Sequence, residues 1–227
     1  MNILILGFVL GFILPFMASR FGKILPASPG AIVVRLCHCP RFPKVHNPTQ
    51  VSRLRRKWLE LCMAGLGWGV GMALSYYAVV FCMPEPVHFF AFLFIWIISI
   101  SIVIDAKIQL LPDFFTLPLT LFGFLFADQT GAIDMSYSLA GAFFGYLISI
   151  VSVIATGGSK KAEFGAGDVK LLIALGTWLG VIGLNYAVLL SFFLFVLLSA
   201  IRGNKVGAYG PAVGIGALFA FFAIYTK

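Results

Sequence analysis

Three carboxylates stand where an apolar chain does not place them idly. Asp168 follows two glycines in the stretch Phe164-Gly165-Ala166-Gly167-Asp168-Val169-Lys170, where a polar loop turns into an apolar run. Asp105 and Asp113 close an earlier apolar run, in Ile104-Asp105 and Leu111-Pro112-Asp113. An acid at a bilayer boundary is costly unless something uses it. Gly165 and Gly167 have no side chain, so backbone or substrate can come close to Asp168. The motif also puts Asp168 near the start of a helix, where the dipole favours negative charge. Asp105 is expected at a helix C-terminus, where the dipole opposes it, so that placement calls for another cause.

Paired carboxylates at one membrane depth can do three things. They can share a proton and activate water for hydrolysis, because two like charges close together do not both ionise cheaply. They can relay protons or cations in a transporter. They can also cap helices and hold loops, which suits Asp113, since an acid after Leu-Pro is a natural N-cap. Transport fits poorly, because the acids lie at one face and no matched pair of broken helices accompanies them. His38, His46 and His88 lie in loops away from the acids, so no Ser/His/Asp set can be assembled. Residues 165–170 also lack the longer glycine-lysine-hydroxyl spacing of a phosphate loop.

The elements that must position these acids are membrane helices. Of 227 residues, 61% are hydrophobic and 11% charged, and the mean hydropathy is +1.03. Soluble domains carry roughly 25% charged residues, and apolar runs near 20 residues recur here. The expected fold is an all-α polytopic membrane protein of about eight transmembrane helices. They fall near 2–18, 58–81, 89–105, 114–127, 135–156, 168–183, 185–201 and 209–225, with a minimal turn at Asn185. The apolar run 3–17 reads as a retained first helix, since basic residues follow it instead of preceding it. The prolines of 19–57 argue against a continuous helix there. The glycines Gly65, Gly67, Gly69 and Gly71 permit close helix packing.

The net charge of +8 points to orientation, not to nucleic acid, because the cations lie between the spans. With the basic loop 19–57 inside, every one of the 16 Lys and Arg residues except Lys227 is cytoplasmic. Glu85, Asp128 and Asp134 fall on the other side. The positive-inside rule then puts both termini in the periplasm, and all three acids at cytoplasmic helix ends.

At these residues the chain resembles the type IV prepilin peptidases, bacterial intramembrane aspartic proteases with a Gly-x-Gly-Asp motif. The resemblance rests on Ile104-Asp105-Ala106-Lys107-Ile108-Gln109-Leu110-Leu111-Pro112-Asp113, the Thr116-Leu117-Pro118-Leu119 run, and Gly165-Ala166-Gly167-Asp168-Val169-Lys170-Leu171-Leu172. Tyr209-Gly210-Pro211, opening the last helix, is a further match. It covers about 90–227, and the 63 residues between Asp105 and Asp168 suit the family.

The resemblance implies that Asp105 and Asp168 are the catalytic pair, with Asp113, Gly165, Gly167 and Lys170 in support. It implies cleavage of a short basic leader from prepilins, after a glycine and at the cytoplasmic face of the bacterial inner membrane. Lys107 is a departure, standing where the family often has another acid. A peptidase membrane domain at 89–227 would follow an N-terminal membrane region at 1–88, a reduced form of the family's cysteine-containing, methyltransferase part.

Relatives commonly carry two Cys-x-x-Cys pairs in the first loop, which read as a zinc site. Here Cys37-His38-Cys39 stands alone, so no tightly held metal is expected. The peptidase step calls for no cofactor. S-adenosylmethionine enters only with the family's second reaction, N-methylation of the new pilin N-terminus. The expected partners are prepilins and the lipid bilayer. The alternative is a non-enzymatic or ion-coupled transport membrane protein with structural acids at helix ends.

Overall fold

A computed structural model describes residues 2–24, 48–109, 111–155, 165–201 and 209–226. Among these residues the chain is all-helical, with α1 (Asn2–Ile24), α2 (Pro48–Cys82), α3 (Glu85–Ile108), α4 (Asp113–Thr130), α5 (Met135–Ala155), α6 (Ala166–Ile201) and α7 (Gly210–Tyr225). Four helical stretches are long and apolar enough to cross a membrane, Asn2–Arg20, Arg55–Cys82, Glu85–Ile108 and Met135–Ser152, and a fifth apolar stretch, Ala166–Leu197, is divided at Gly180. Gly210–Tyr225 is as apolar but shorter. The chain is a multi-pass membrane protein. Cys37 and Cys39 lie outside the described residues.

Two compact units form, Met1–Ala78 and Val79–Lys227. In the first, α1 and α2 meet backbone to backbone through glycines four apart. A Cβ on Gly7 would lie 3.0 Å from the Ala73 Cα, and one on Gly11 would run into the Trp68 carbonyl. From the other side, Gly65 and Gly69 abut Phe12 and Phe8. Small residues at this spacing let helices touch in lipid, where burial of apolar surface drives little association. Gly67 and Gly71 face open space, so only half of the expected glycine face is used. Helix α2 begins ten residues earlier than expected, because Pro48 occupies its first position, where the missing N–H costs nothing.

In the second unit α3 is the central rod, buried almost continuously from Ile97 to Asp105. It packs on α4 and α7, while α6 packs on α4, α5 and α7. Between them lies an aromatic core. Trp178 sits 4.9 Å from Phe94 and 5.1 Å from Phe126, ring centre to ring centre, and Phe94 stacks on Phe221 at 4.5 Å. The Trp178 indole N–H donates to the Leu119 carbonyl at 2.8 Å, which ties α6 to α4.

The turn expected at Asn185 lies instead at Gly180, whose φ of 63° and ψ of −173° are open to glycine alone. The chain reverses there. Trp178 meets Tyr225 at the end of α7, whereas Ser191 meets Tyr209 at its start. Residues 166–179 therefore run alongside α7 and 181–201 run back against it. A break in a membrane helix frees carbonyls that water cannot reach. Here the Ser138 hydroxyl donates to the Thr177 carbonyl at 2.7 Å, and the Tyr225 hydroxyl to that of Trp178 at 2.6 Å. Asn185 itself is exposed within helix.

Candidate active site

The ends of four helices converge on the acids. Asp105 lies in the last turn of α3, which closes on Gln109 in the left-handed region, its N–H donating to the Asp105 carbonyl at 2.9 Å. The side chain is 6% exposed. Gly210, at the start of α7, lies directly against its carboxylate. The positive end of the α7 dipole thus supplies the stabilisation that the α3 terminus withholds. A side chain on Gly210 would collide with the Asp105 carboxylate, so only glycine permits the contact. Pro211 follows in the first turn, where proline is tolerated.

Asp168 lies in the first turn of α6, half-buried. Its backbone N–H donates to the Gly165 carbonyl at 2.9 Å, and its carboxylate lies beside Gly165. Gly167 sits against the Leu111-Pro112 connection, since a Cβ there would come within 2.8 Å of the Leu111 Cβ. Asp168 is close enough to Asp105 and to Tyr209 for its charge to act on both. Tyr209 is held by a 3.0 Å hydrogen bond with Ser191.

Asp113 does not cap α4. The cap position is Pro112, with no side-chain bond, and Asp113 enters the first helical turn. Its carboxylate accepts instead from the Lys170 ammonium at 2.5 Å, with the two side chains 55% and 43% exposed. Lys107 is exposed at the end of α3. The structure therefore gathers Asp105, Asp168, Gly165 and Gly167 at one end of the unit, with the Asp113–Lys170 pair linking α4 to α6 beside them. Gly210 is a site residue that the catalytic motifs did not single out. Its signal was the glycine-proline step opening an apolar helix. Among the described residues no cluster of three or more His, Cys, Asp or Glu could hold a metal ion.

The arrangement brings two carboxylates near one another, one of them buried against the start of α7. Fold and site together define a polytopic helical membrane protein with an acid pair at its helix ends. The chain belongs to the type IV leader peptidase family, whose pattern residues 91–200 match. It is 32% identical over 225 residues to a prepilin leader peptidase/N-methyltransferase of Dichelobacter nodosus, across 89% of this chain and 73% of that protein. A protein of the same description from Vibrio cholerae is 30% identical over 171 residues, covering 67% and 68% of the two chains. Another, from Neisseria gonorrhoeae, is 34% identical over 127 residues, and there the match spans only 43% of the relative's length. No solved structure matches the chain.

Proposed function

We propose that this protein is an aspartic endopeptidase of the bacterial inner membrane that removes the leader from type IV prepilins, with Asp105 and Asp168 as its catalytic pair. The observation that carries the reading is that two carboxylates from separate helices lie close enough for the charge of one to act on the other, Asp105 being buried against Gly210. A pair that only capped helices would not need to be neighbours. The family's printed description and those of its relatives supply the substrate class.

In this mechanism one acid of the pair is ionised and the other protonated. The ionised carboxylate takes a proton from water as the water oxygen adds to the scissile carbonyl carbon. The protonated acid gives its proton to the carbonyl oxygen, forming a neutral gem-diol. A proton then passes to the amide nitrogen, the C–N bond breaks, and the products are the leader's carboxyl and the mature pilin's amine. Water has been added across one bond, and the pair ends with the single proton it began with. Gly165 leaves room for an extended peptide beside Asp168, Gly167 lets α6 close on Leu111, and Lys170 with Asp113 steadies the start of α6.

Loop charge supports an orientation with both termini periplasmic and the acids at the cytoplasmic face. The relatives' names also pair the peptidase with an N-methyltransferase. For this chain, methylation of the exposed N-terminus from S-adenosylmethionine is a second reaction, associated with residues 1–88, and is measured as methyl transfer to the same cleaved product. The test of the main reading is co-expression with a prepilin. The wild type should give the leader-sized mobility shift, while Asp105→Asn and Asp168→Asn insert normally and give none. Processing by either variant would end the aspartic-protease reading.

A further inference from the structure

Most hydroxyls in these helices donate to a carbonyl one turn back. Thr120, Ser101 and Ser149 each donate to the carbonyl four residues back, at 2.8–2.9 Å. Thr116 breaks this pattern. It is 1% exposed, yet its Oγ1 has no hydrogen-bond partner among the described residues. The carbonyl it would use belongs to Pro112, which already accepts from the N–H groups of Phe115 and Thr116 at 3.0 and 3.5 Å. Only one other buried side-chain oxygen among the described residues shares this condition, and it is Asp105 Oδ2. A buried hydroxyl or carboxylate oxygen left unpaired is costly, so two such oxygens flanking one helix connection point to a group they both bind.

The placement agrees. Asp105 lies three residues before the end of α3 and Thr116 three residues after the start of α4, so both stand one turn inside the short connection joining these packed helices. Thr116 belongs to the buried stripe of α4, with Asp113 a turn before it and Leu119 and Gly123 beyond. That stripe faces α6: Asp113 meets Lys170, the Leu119 carbonyl meets Trp178, and Gly123 lies against Thr177. Thr116 is therefore buried on the side of α4 turned toward α6, the helix that carries Asp168.

We propose that Thr116 is a further residue of the site, its hydroxyl and Asp105 Oδ2 together holding the water that adds to the peptide carbonyl. A buried water takes two to four polar partners, and a hydroxyl with a carboxylate oxygen is a fitting pair. The proposal rests on the peptidase reading.

The test uses the full-length protein, reconstituted in lipid, with a purified prepilin, measuring kcat, KM and thermal stability. Thr116→Val keeps the shape and removes the hydroxyl. It should lower kcat about 10- to 100-fold, the loss of one hydrogen bond to the reacting group, with KM within about twofold and stability undiminished. Thr116→Ser should stay within about threefold of wild type. Wild-type kcat in Thr116→Val, or an equal fall in Thr116→Ser, overturns the proposal. If Thr116→Val does not accumulate, Thr116→Cys replaces it, a similar volume with a weak hydrogen-bonding group, and the same contrast with serine decides. A wild type that cleaves nothing would instead remove the peptidase reading, which separates the two failures.

Discussion

The two ends of the Val79–Lys227 unit are built on opposite terms. At one, Trp178, Phe94, Phe126, Phe221 and Tyr225 fill the space, and the carbonyls freed at Gly180 are met by Ser138 and Tyr225. At the other, Gly167 and Gly210 stand where a side chain would clash, an acid is buried, and two polar oxygens have no partner among the described residues. The first end has its polar groups met and the second does not. Stability is concentrated where nothing reacts, and the free energy left unrealised lies where chemistry is proposed, a division expected when a scaffold holds a strained or polar site.

If that division is right, variants at the two ends should fail in different ways. Trp178→Ala should have the largest effect, costing about 3 kcal/mol of stability, the low end for a buried aromatic because lipid competes with the core. The protein that remains folded should cleave at close to the normal rate, as thermal unfolding alongside specific activity would reveal. Gly210→Ala should do the reverse. Its Cβ displaces the Asp105 carboxylate, so cleavage should fall about 100-fold, near 2.7 kcal/mol, with the melting temperature nearly unchanged. An active Gly210→Ala enzyme would mean that the α7 terminus does not hold Asp105.

Smaller effects sharpen the contrast. Tyr225→Phe leaves the Trp178 carbonyl unpaired in the core and should cost roughly 1–2 kcal/mol without changing kcat. The Asp113–Lys170 pair should have the least effect, because a half-exposed ion pair is worth about 0.2–1 kcal/mol. Lys170→Met and Asp113→Asn should each slow cleavage less than about fivefold. The exchanged double variant Asp113→Lys/Lys170→Asp should recover most of that loss if the pair acts by linking α4 to α6. No recovery would assign one of the two to direct contact with substrate.

How much of this was legible in the sequence depended on how local each feature is. The acids and glycines announce themselves, since carboxylates are rare in apolar runs and the spacing of Gly165, Gly167 and Asp168 lies within one turn. Their gathering at one end followed from loop charge and helix count. The reversal at Gly180 was hidden because its caps come from Ser138 and Tyr225, some forty residues away on either side, while Asn185 carries the local signature of a turn. Asp113 misled in the same way. Leu-Pro-Asp has the chemistry of a cap, but its partner Lys170 is 57 residues distant and takes the carboxylate elsewhere. Thr116 looked like one more helical threonine until the carbonyl it would use proved occupied.

The reversal at Gly180 also fixes a length. Residues 166–179, which carry Asp168, make a rod of roughly 21 Å, and α7 one of roughly 24 Å, at 1.5 Å per residue. A hydrocarbon core is about 30 Å thick. Neither rod can cover it alone, and both begin at the acid end. The shortfall is cheapest where polar groups wait, since the aromatic end is at home among acyl chains. Lipid around these two short rods must thin, or headgroups must dip, by several ångströms, at a fraction of a kcal/mol for each. If Asp105 and Asp168 are the proposed pair, the bilayer itself is drawn toward them, and a peptide at the membrane surface would reach them without any helix having to open.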